Sequence, residues 1–259
     1  MGSVFHYTKL PIVIEHILPE MSLDTNNLKF TNDPRESQLW AVGSINLPLE
    51  KVFPDYYSDK TQIECQFKFG KLIKNRLQVL CFSGANHDGW NNEMMWAHYC
   101  HNHAGVCMEF DEQALKHEVQ HQCNNSHYFF ENVCYEKGRD KPWFNWNDSL
   151  GCDQNLDNYI IQSHKEIAFR KSLVWEQEDE KRLVVLNDEQ VKLPIKSSLK
   201  AIYFGLNFLY QYLPAIESLL NGLEVKLYDV IYQNYKYERW LRNIGSKKIP
   251  ISRKFDSLR

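Results

Sequence analysis

The chain has 259 residues, of which 43% are hydrophobic and 14% aromatic, and its formal net charge is −3. This length suits one large domain or two small ones, and the charge excludes nucleic-acid binding through an overall positive charge, so any such binding must use a local patch. Seven cysteines at irregular spacing do not indicate a disulfide framework, and no apolar run reaches the length of a membrane span. The first residues lack the segments of a secretory signal, so we expect a soluble cytoplasmic protein without a membrane partner.

Hydrophobic periodicity and turn signals predict strands and helices in mixed order along the chain. The predicted strands are 4–7, 28–31, 77–83, 106–110, 133–135, 180–186, 201–204 and 225–232. The predicted helices are 10–18, 62–74, 93–100, one within 111–125, 155–171 and 206–220. Because the two types do not alternate regularly, we expect an α+β fold with a mostly antiparallel sheet and flanking helices. We expect one catalytic domain over 1–259, with 223–259 as a C-terminal extension that ends in a solvated basic tail from Lys247 to Arg259.

Two polar motifs lie at the ends of predicted strands near the N-terminus. His6-Tyr7-Thr8 stands where the first strand gives way to a helix, so its side chains can hydrogen-bond a ligand near a helix N-terminus. Taken alone, it favours a helix capped by Thr8 and a partly buried histidine. Asn32-Asp33-Pro34-Arg35-Glu36 is typical of a turn that ends a strand, and whether Glu36 lies at a cleft stays open.

The segment from Met94 to Phe110 is unusually rich in aromatic and imidazole groups. Trp96 and Tyr99 are either core residues or walls for a planar ligand, and helical spacing allows only one of them to face it. Three histidines and two cysteines occur here without the paired spacing of zinc sites, so we expect no metal. They are His98, Cys100, His101, His103 and Cys107. Gly105 is expected to allow a tight turn into the next strand.

An acidic run precedes the predicted strand 180–186. Glu178, Glu180 and Arg182 would project to one face of a strand, where Arg182 could pair with one carboxylate and orient the other. The alternative is an exposed acidic hairpin, as acidic runs usually are. A nucleophile is weakly indicated, because Cys81 and Ser83 end a strand without a G-x-S-x-G elbow.

Several of these residues together resemble a bacterial family catalogued as domain of unknown function 2971. The blocks that carry the resemblance are Asn32 to Glu36, Cys81-Phe82-Ser83, Met95 to Tyr99, Asn102 to Cys107, and Lys171 to Trp175 with Glu178, Glu180 and Arg182. The resemblance runs in order from residue 6 to about residue 222. Thr31 and Arg35 stand where the family usually has phenylalanine on either side of Asn-Asp-Pro.

The layout of that family in turn resembles toxin-type ADP-ribosyltransferases, which implies a split pair of mostly antiparallel sheets with NAD in the cleft between them. By this resemblance His6 holds the nicotinamide ribose, Trp96 or Tyr99 stacks on nicotinamide, and Glu180 or Glu178 carries catalysis. The implied catalytic residues are Glu180, Glu178 and His6. The implied NAD contacts are His6, Tyr7, Thr8, Ser83, Trp96, His98, Tyr99 and Arg182.

The resemblance therefore predicts an NAD-dependent ADP-ribosyltransferase, a bacterial toxin or phage-defence effector that modifies RNA, DNA or protein. An antitoxin or immunity protein would be a further partner. Two other functions stay open: a nucleotide-sensing module without turnover, and a hydrolytic or nuclease-like effector that uses His98 and His103.

Overall fold

The computed structural model describes residues 2–38, 42–44, 50, 62–84, 89–123, 126–138 and 143–242. The strands are β1 (Ser3–Thr8), β2 (Ser22–Asp24), β3 (Asn26–Asn27), β4 (Gly43–Ser44), β5 (Leu77–Ser83), β6 (Val106–Asp111), β7 (Tyr128–Asn132), β8 (Cys134–Glu136), β9 (Trp143–Phe144), β10 (Arg170–Ser172), β11 (Glu180–Leu186), β12 (Lys192–Pro194), β13 (Leu199–Phe204), β14 (Lys226–Gln233) and β15 (Lys236–Arg242). The α-helices are α1 (Leu10–Ile12), α2 (Leu18–Glu20), α3 (Pro34–Ser37), α4 (Gln62–Asn75), α5 (Glu93–Tyr99), α6 (Glu112–Gln122), α7 (Cys152–Ala168) and α8 (Leu213–Leu219). A π-helix (Val13–Ile17) joins α1 to α2, and 3₁₀ turns occupy Leu28–Phe30, Leu173–Glu178 and Tyr210–Tyr212.

Most of the strands belong to one sheet. Its order is β15-β14-β13-β6-β1-β5-β11-β7, and β3 adds to β5 as a ninth strand. All neighbours in it are antiparallel except β13 and β14. The predicted α+β fold with a mostly antiparallel sheet and flanking helices is confirmed.

The sheet is joined across its middle by one residue pair. β1 and β5 pair only at Phe5 and Ser83, and the next partner on that edge of β5 is β3, opposite Gln78 and Val79. Five strands lie on one side of this junction and four on the other. The resemblance implied two separate sheets. The structure instead has one main sheet, in which β1 and β5 separate from each other beyond the pair Phe5 and Ser83.

Helices cover both halves of the sheet through apolar residues spaced one helical turn apart. On the four-strand half, α4 buries Phe69 and Ile73, and α7 buries Leu156 and Ile160 in the same cluster as Val184 of β11. On the five-strand half, α6 and α8 join the core on one face. Helix α5 packs against the strands on the other face. This i, i+4 spacing explains why α4 was predictable almost to its ends.

Several predictions differ from the structure. The helix predicted over 155–171 covers Cys152–Ala168, and Lys171 lies in β10 instead. Residues 28–31 form a 3₁₀ turn rather than a strand, because the Asn27 side chain accepts a hydrogen bond from the Lys29 N–H and caps it. Thr8 ends β1 and does not cap the following helix, which has Lys9 at its N-cap without a side-chain bond. The helix predicted from 206 begins only at Leu213, after a 3₁₀ turn.

The predicted C-terminal extension is built into the sheet. Strands β14 and β15 lie within 226–242 and form one end of the main sheet, while 243–259, with the predicted basic tail, lies outside the described residues. In the part of the chain that the structure describes, none of the helices has the length and apolarity needed to cross a membrane.

Candidate functional site

A cavity of about 590 Å³ opens where β1 and β5 part. Six of the predicted site residues line it, namely His6, Tyr7, Thr8, Tyr99, Glu178 and Glu180. Part of its wall is the π-helix, through His16 and Ile17. Short π-helical segments are rare and frequently occur at functional sites. The parting of the sheet thus brings N-terminal residues together with residues from the middle of the chain, as far as Gln190, around one space.

His6 fills part of the gap between the two strands. Its Nδ1 lies 3.0 Å from the carbonyl oxygen of Cys81, and because a carbonyl only accepts, Nδ1 carries the proton. Burial lowers the pKa of His6, so the ring is neutral at pH 7. In this tautomer Nε2 is an acceptor, and the ring lies in the cavity wall.

The two glutamates of the acidic run converge on one buried lysine. Lys171 Nζ lies 2.5 Å from Glu178 Oε2 and 2.8 Å from Glu180 Oε2, and all three side chains are buried. Glu178 ends a 3₁₀ turn and Glu180 begins β11, with Asp179 between them in the left-handed region at φ 46°. The prediction that Glu178 shares a strand face with Glu180 is therefore wrong, and the exposed-hairpin alternative is excluded by burial.

Arg182 is a structural cation that does not reach the cavity. It donates to Glu180 from Nε at 2.7 Å and Nη2 at 3.0 Å, and to Glu36 from Nη1 at 2.6 Å and Nη2 at 3.2 Å. A further bond runs from Nη1 to the carbonyl oxygen of Ala168. The side chain is fully buried, and these bonds use the guanidinium on every side. It is placed to fix Glu180 rather than to contact a ligand, contrary to our prediction.

Glu180 has little capacity left for a ligand. Its oxygens accept the two bonds from Arg182 and one from Lys171. Burial alone would raise the pKa of Glu180, but the positive charges of Arg182 and Lys171 outweigh burial and hold that pKa at about 2. Glu180 is therefore ionised throughout the physiological range.

Glu178 is in a different electrostatic state. It accepts a hydrogen bond from the Tyr99 hydroxyl and one from Lys171, which leaves two of its four acceptor positions open. Burial raises the pKa of Glu178 above its ordinary value, and the charge of Glu180 adds to this, although Lys171 opposes it. With Glu36, three buried carboxylates share two buried cations. Of the two glutamates at Lys171, Glu178 is held less firmly as an anion than Glu180.

A hydrogen-bonded chain links Glu178 to the turn after β3. Asn32 Nδ2 donates to the Tyr99 hydroxyl at 2.9 Å, and that hydroxyl donates to Glu178 Oε1. Asp33, next in sequence, is buried and accepts from the backbone N–H of Ser172 at 3.1 Å. The Asn32–Glu36 motif, which sequence analysis interpreted mainly as a turn, thus anchors both Tyr99 and Arg182.

Three further residues that we predicted to contact NAD do not line the cavity. Trp96 is fully buried, and its Nε1 donates to the carbonyl oxygen of Trp90 at 2.8 Å. His98 is exposed, and the buried Ser83 donates to the carbonyl oxygen of Glu178 at 2.7 Å. Of the two predicted aromatic walls, Tyr99 is the one at the cavity.

The histidine- and cysteine-rich turn after α5 has a packing role. His103 lies between the rings of Trp96 and Tyr237, at centroid distances of 6.4 and 6.2 Å. Burial raises the pKa of Cys100 and of Cys107, so neither is a thiolate at neutral pH. Across the described ranges, no three histidine, cysteine or acidic side chains are grouped as metal ligands.

The comparisons with known proteins bear on one part of the chain. Residues 95–183 match the model of a family described as Protein of unknown function (DUF2971). The match runs from α5 into β11, and so includes Tyr99, Lys171, Glu178, Glu180 and Arg182. It supports the family resemblance over that stretch. Neither the curated proteins nor the solved structures include a match to the chain.

Sequence reasoning missed the groups that connect the predicted ones. Lys171 and Glu36 stand inside the motif blocks, but no role was predicted for Lys171, and that of Glu36 was left open. Cys81 and Phe30 also line the cavity. A cation close to two glutamates in sequence was a usable signal for Lys171.

Proposed function

We propose that this protein is an NAD-dependent ADP-ribosyltransferase that modifies a macromolecule. The observation that carries the proposal is that Glu178 and Glu180 lie in the wall of one cavity together with His6 and Tyr99. The cavity volume falls within the roughly 300–1,000 Å³ of small-molecule sites. An imidazole acceptor, an aromatic side chain and two carboxylates are the groups that the resemblance requires for NAD.

The reaction sets different tasks for the two carboxylates. Transfer breaks the bond between nicotinamide and ribose, and nicotinamide leaves with the bonding electron pair. The ribose carbon then bonds to an oxygen or nitrogen of the acceptor, which loses a proton. Positive charge that develops on the ribose is stabilised by a nearby carboxylate, and the released proton needs a base.

The environments of the glutamates support a division of these tasks between them. Glu178 has open acceptor positions and a raised pKa, so we infer that it contacts the substrate and accepts the proton. Glu180 stays ionised and contributes a constant negative potential, and it holds Lys171 in place. This reverses the emphasis of the sequence analysis, which placed Glu180 first.

Labelled NAD tests the proposal directly. The protein is incubated with cell lysate and NAD that carries a radioactive adenylate phosphate, and the label is then measured in the protein, RNA and DNA fractions. We expect label in one of these fractions with the native protein and a loss of about 10²–10⁴-fold with Glu178→Gln, the range that proton transfer contributes. Glu176→Gln is the matched control, because Glu176 lies exposed in the same turn.

Two outcomes contradict the proposal. The first is an active Glu178→Gln variant. The second is NAD binding by the native protein without incorporated label, which would support the nucleotide-sensing alternative instead. The Gln variant should fold, because Gln keeps the size of Glu178 and Lys171 keeps Glu180 as a charged partner.

A further inference from the structure

The hairpin of β14 and β15 ends in an unusual turn. Asn234 and Tyr235 form it, both with positive φ, 53° and 62°. Two-residue turns of this kind favour Asn-Gly, and a bulky side chain in the left-handed region is conformationally costly. Tyr235 is nevertheless there, with 94% of its surface exposed. A costly residue whose side chain makes so little contact with its own fold is a candidate for contact with a partner.

One face of the hairpin is buried at its centre, where Val230 and Tyr237 pack in the same cluster as Trp96, and it carries exposed side chains on either side of that contact. Residues paired across β14 and β15 share a face, as Tyr228 does with Leu241, and Val230 with Arg239. We define the hairpin platform as Tyr228, Tyr232, Arg239 and Leu241 on this face, with Tyr235 at the tip. Tyr232, Arg239 and Leu241 are exposed.

A column of stacked rings supports the platform from within. Trp90 stacks on Tyr203 at 5.6 Å, and Tyr203 stacks on Tyr228 at 4.9 Å. The Arg239 guanidinium lies 5.2 Å from the ring centres of both Trp90 and Tyr228, and its Nη1 donates to the Tyr203 hydroxyl at 2.6 Å. These contacts thus preorganise the platform for binding.

Positive charge is concentrated in the part of the sequence that begins with the hairpin. From residue 226 to 259 there are nine lysines and arginines against three acidic residues, a net charge of +6, whereas residues 1–225 carry −9. Lys226 and Lys236 are exposed at the two ends of the hairpin. An anionic polymer is therefore attracted more to the hairpin, whose residues 226–242 carry a net charge of +2, than to the part of the chain that precedes it.

We propose that the hairpin platform binds single-stranded nucleic acid and that this nucleic acid is the acceptor. Exposed tyrosines stack on unpaired bases, and neighbouring cations hold the phosphates, whereas a duplex hides its base faces. The platform adjoins α5, since Tyr237 of β15 stacks on His103, and His103 on Trp96. Tyr99 of the same helix lines the cavity and donates to Glu178, so α5 connects the platform to the cavity wall. The acceptor role rests on the proposed transferase function, but binding does not.

Fluorescence anisotropy without NAD tests the platform. The probes are labelled 12-nucleotide oligouridylate and oligothymidylate, a 12-base-pair duplex, and vesicles of phosphatidylcholine with phosphatidylserine. We expect both single strands to bind at least tenfold more tightly than the duplex or the vesicles, with affinity that falls as salt rises. Tyr235→Gly should weaken single-strand binding by about tenfold and raise Tm, because glycine suits the turn. Tyr212→Ala, at an exposed tyrosine outside the hairpin, should leave binding unchanged.

The proposal is overturned if the duplex or the vesicles bind as tightly as the single strands. It is equally overturned if Tyr235→Gly binds like the native protein, or if Tyr212→Ala loses as much affinity. The labelled-NAD assay separates the two proposals. Tight single-strand binding without transfer would refute the acceptor role and the transferase function, and would retain the platform as a binding surface.

Discussion

At the scale of residues, Glu178 and Glu180 differ through their hydrogen-bond partners. The guanidinium of Arg182 holds both oxygens of Glu180, whereas Glu178 accepts from the Tyr99 hydroxyl and from Lys171. The two pKa values lie apart. The charges of Arg182 and Lys171 hold the pKa of Glu180 at about 2 against the effect of burial, whereas burial and the charge of Glu180 raise the pKa of Glu178. Pairs of carboxyl groups that are separated in this way commonly divide electrostatic and proton-transfer roles in enzymes.

Tyr99 is a positioning residue for Glu178, and Tyr99→Phe isolates its hydroxyl. The hydroxyl donates to the carboxylate and so favours the charged form, so its removal raises the pKa of Glu178 further. We expect the acid limb of the pH–rate profile for transfer to move to higher pH by about one unit. Tyr128→Phe, at a half-buried tyrosine of β7, is the control and should leave the profile in place. An unshifted pH–rate profile in Tyr99→Phe would contradict the role of the Tyr99 hydroxyl in positioning Glu178.

At the scale of elements, the turn between α5 and β6 is held by close backbone contacts. His101, Asn102 and His103 are consecutive left-handed residues, with φ of 49°, 54° and 65°. A Cβ at Gly105 would lie 2.3 Å from the carbonyl oxygen of Thr8. Gly105 is thus required for close approach to β1, whereas sequence analysis expected it to permit a tight turn, and its φ is not positive.

Gly105→Ala should therefore destabilise the protein by about 1–3 kcal/mol, the usual cost of overpacking. Thr8 lines the cavity, so the same change should also weaken NAD binding. Gly138→Ala is the control, because a Cβ there meets no atom within 4 Å. It should change stability by no more than about 0.5 kcal/mol. Urea unfolding followed by fluorescence measures the stability of both variants. Equal unfolding midpoints for Gly105→Ala and Gly138→Ala would contradict the packing role of Gly105.

At the scale of the whole molecule, the buried ion network joins segments that are distant in sequence. Glu36 comes from α3, Lys171 from β10, and Glu180 and Arg182 from β11. Loss of one member of a buried pair leaves a charge uncompensated, which costs roughly 3–5 kcal/mol when no other partner remains. Because Arg182 keeps Glu36, the cost of losing Glu180 should lie toward the lower end of that range.

We therefore expect Glu180→Gln to lower the free energy of unfolding at pH 7 by on the order of 3 kcal/mol. The pKa of Glu180 is about 2 in the folded protein, below its value of roughly 4.3 in an unfolded chain. Its stabilisation is thus complete above about pH 5 and disappears as the pH falls toward 2. The stability difference between the native protein and Glu180→Gln should shrink over that interval, as measured by urea unfolding at several pH values. A difference independent of pH would contradict an ionised Glu180 in the network.

Several elements were predictable because their determinants are local. The bounds of β5 and β11 match the predicted 77–83 and 180–186, since β5 is rich in apolar residues and β11 ends in the apolar run Leu183–Leu186. The strand predicted at 28–31 failed because the Asn27 side chain competes for the backbone. β15 was missed because its pattern of charged and aromatic residues becomes a strand only when it pairs with β14.

The sequence by itself determined the α+β class and the longer strands and helices. The family resemblance grouped His6, Glu178 and Glu180 in one site and left open whether Trp96 or Tyr99 joins them. Only the tertiary structure decided which carboxylate is open to a ligand. That choice depends on Arg182, whose second partner, Glu36, lies 146 positions away. Hydrophobic periodicity is a property of neighbouring residues, whereas burial, hydrogen-bond saturation and the pKa of a carboxyl group depend on side chains that folding alone brings together.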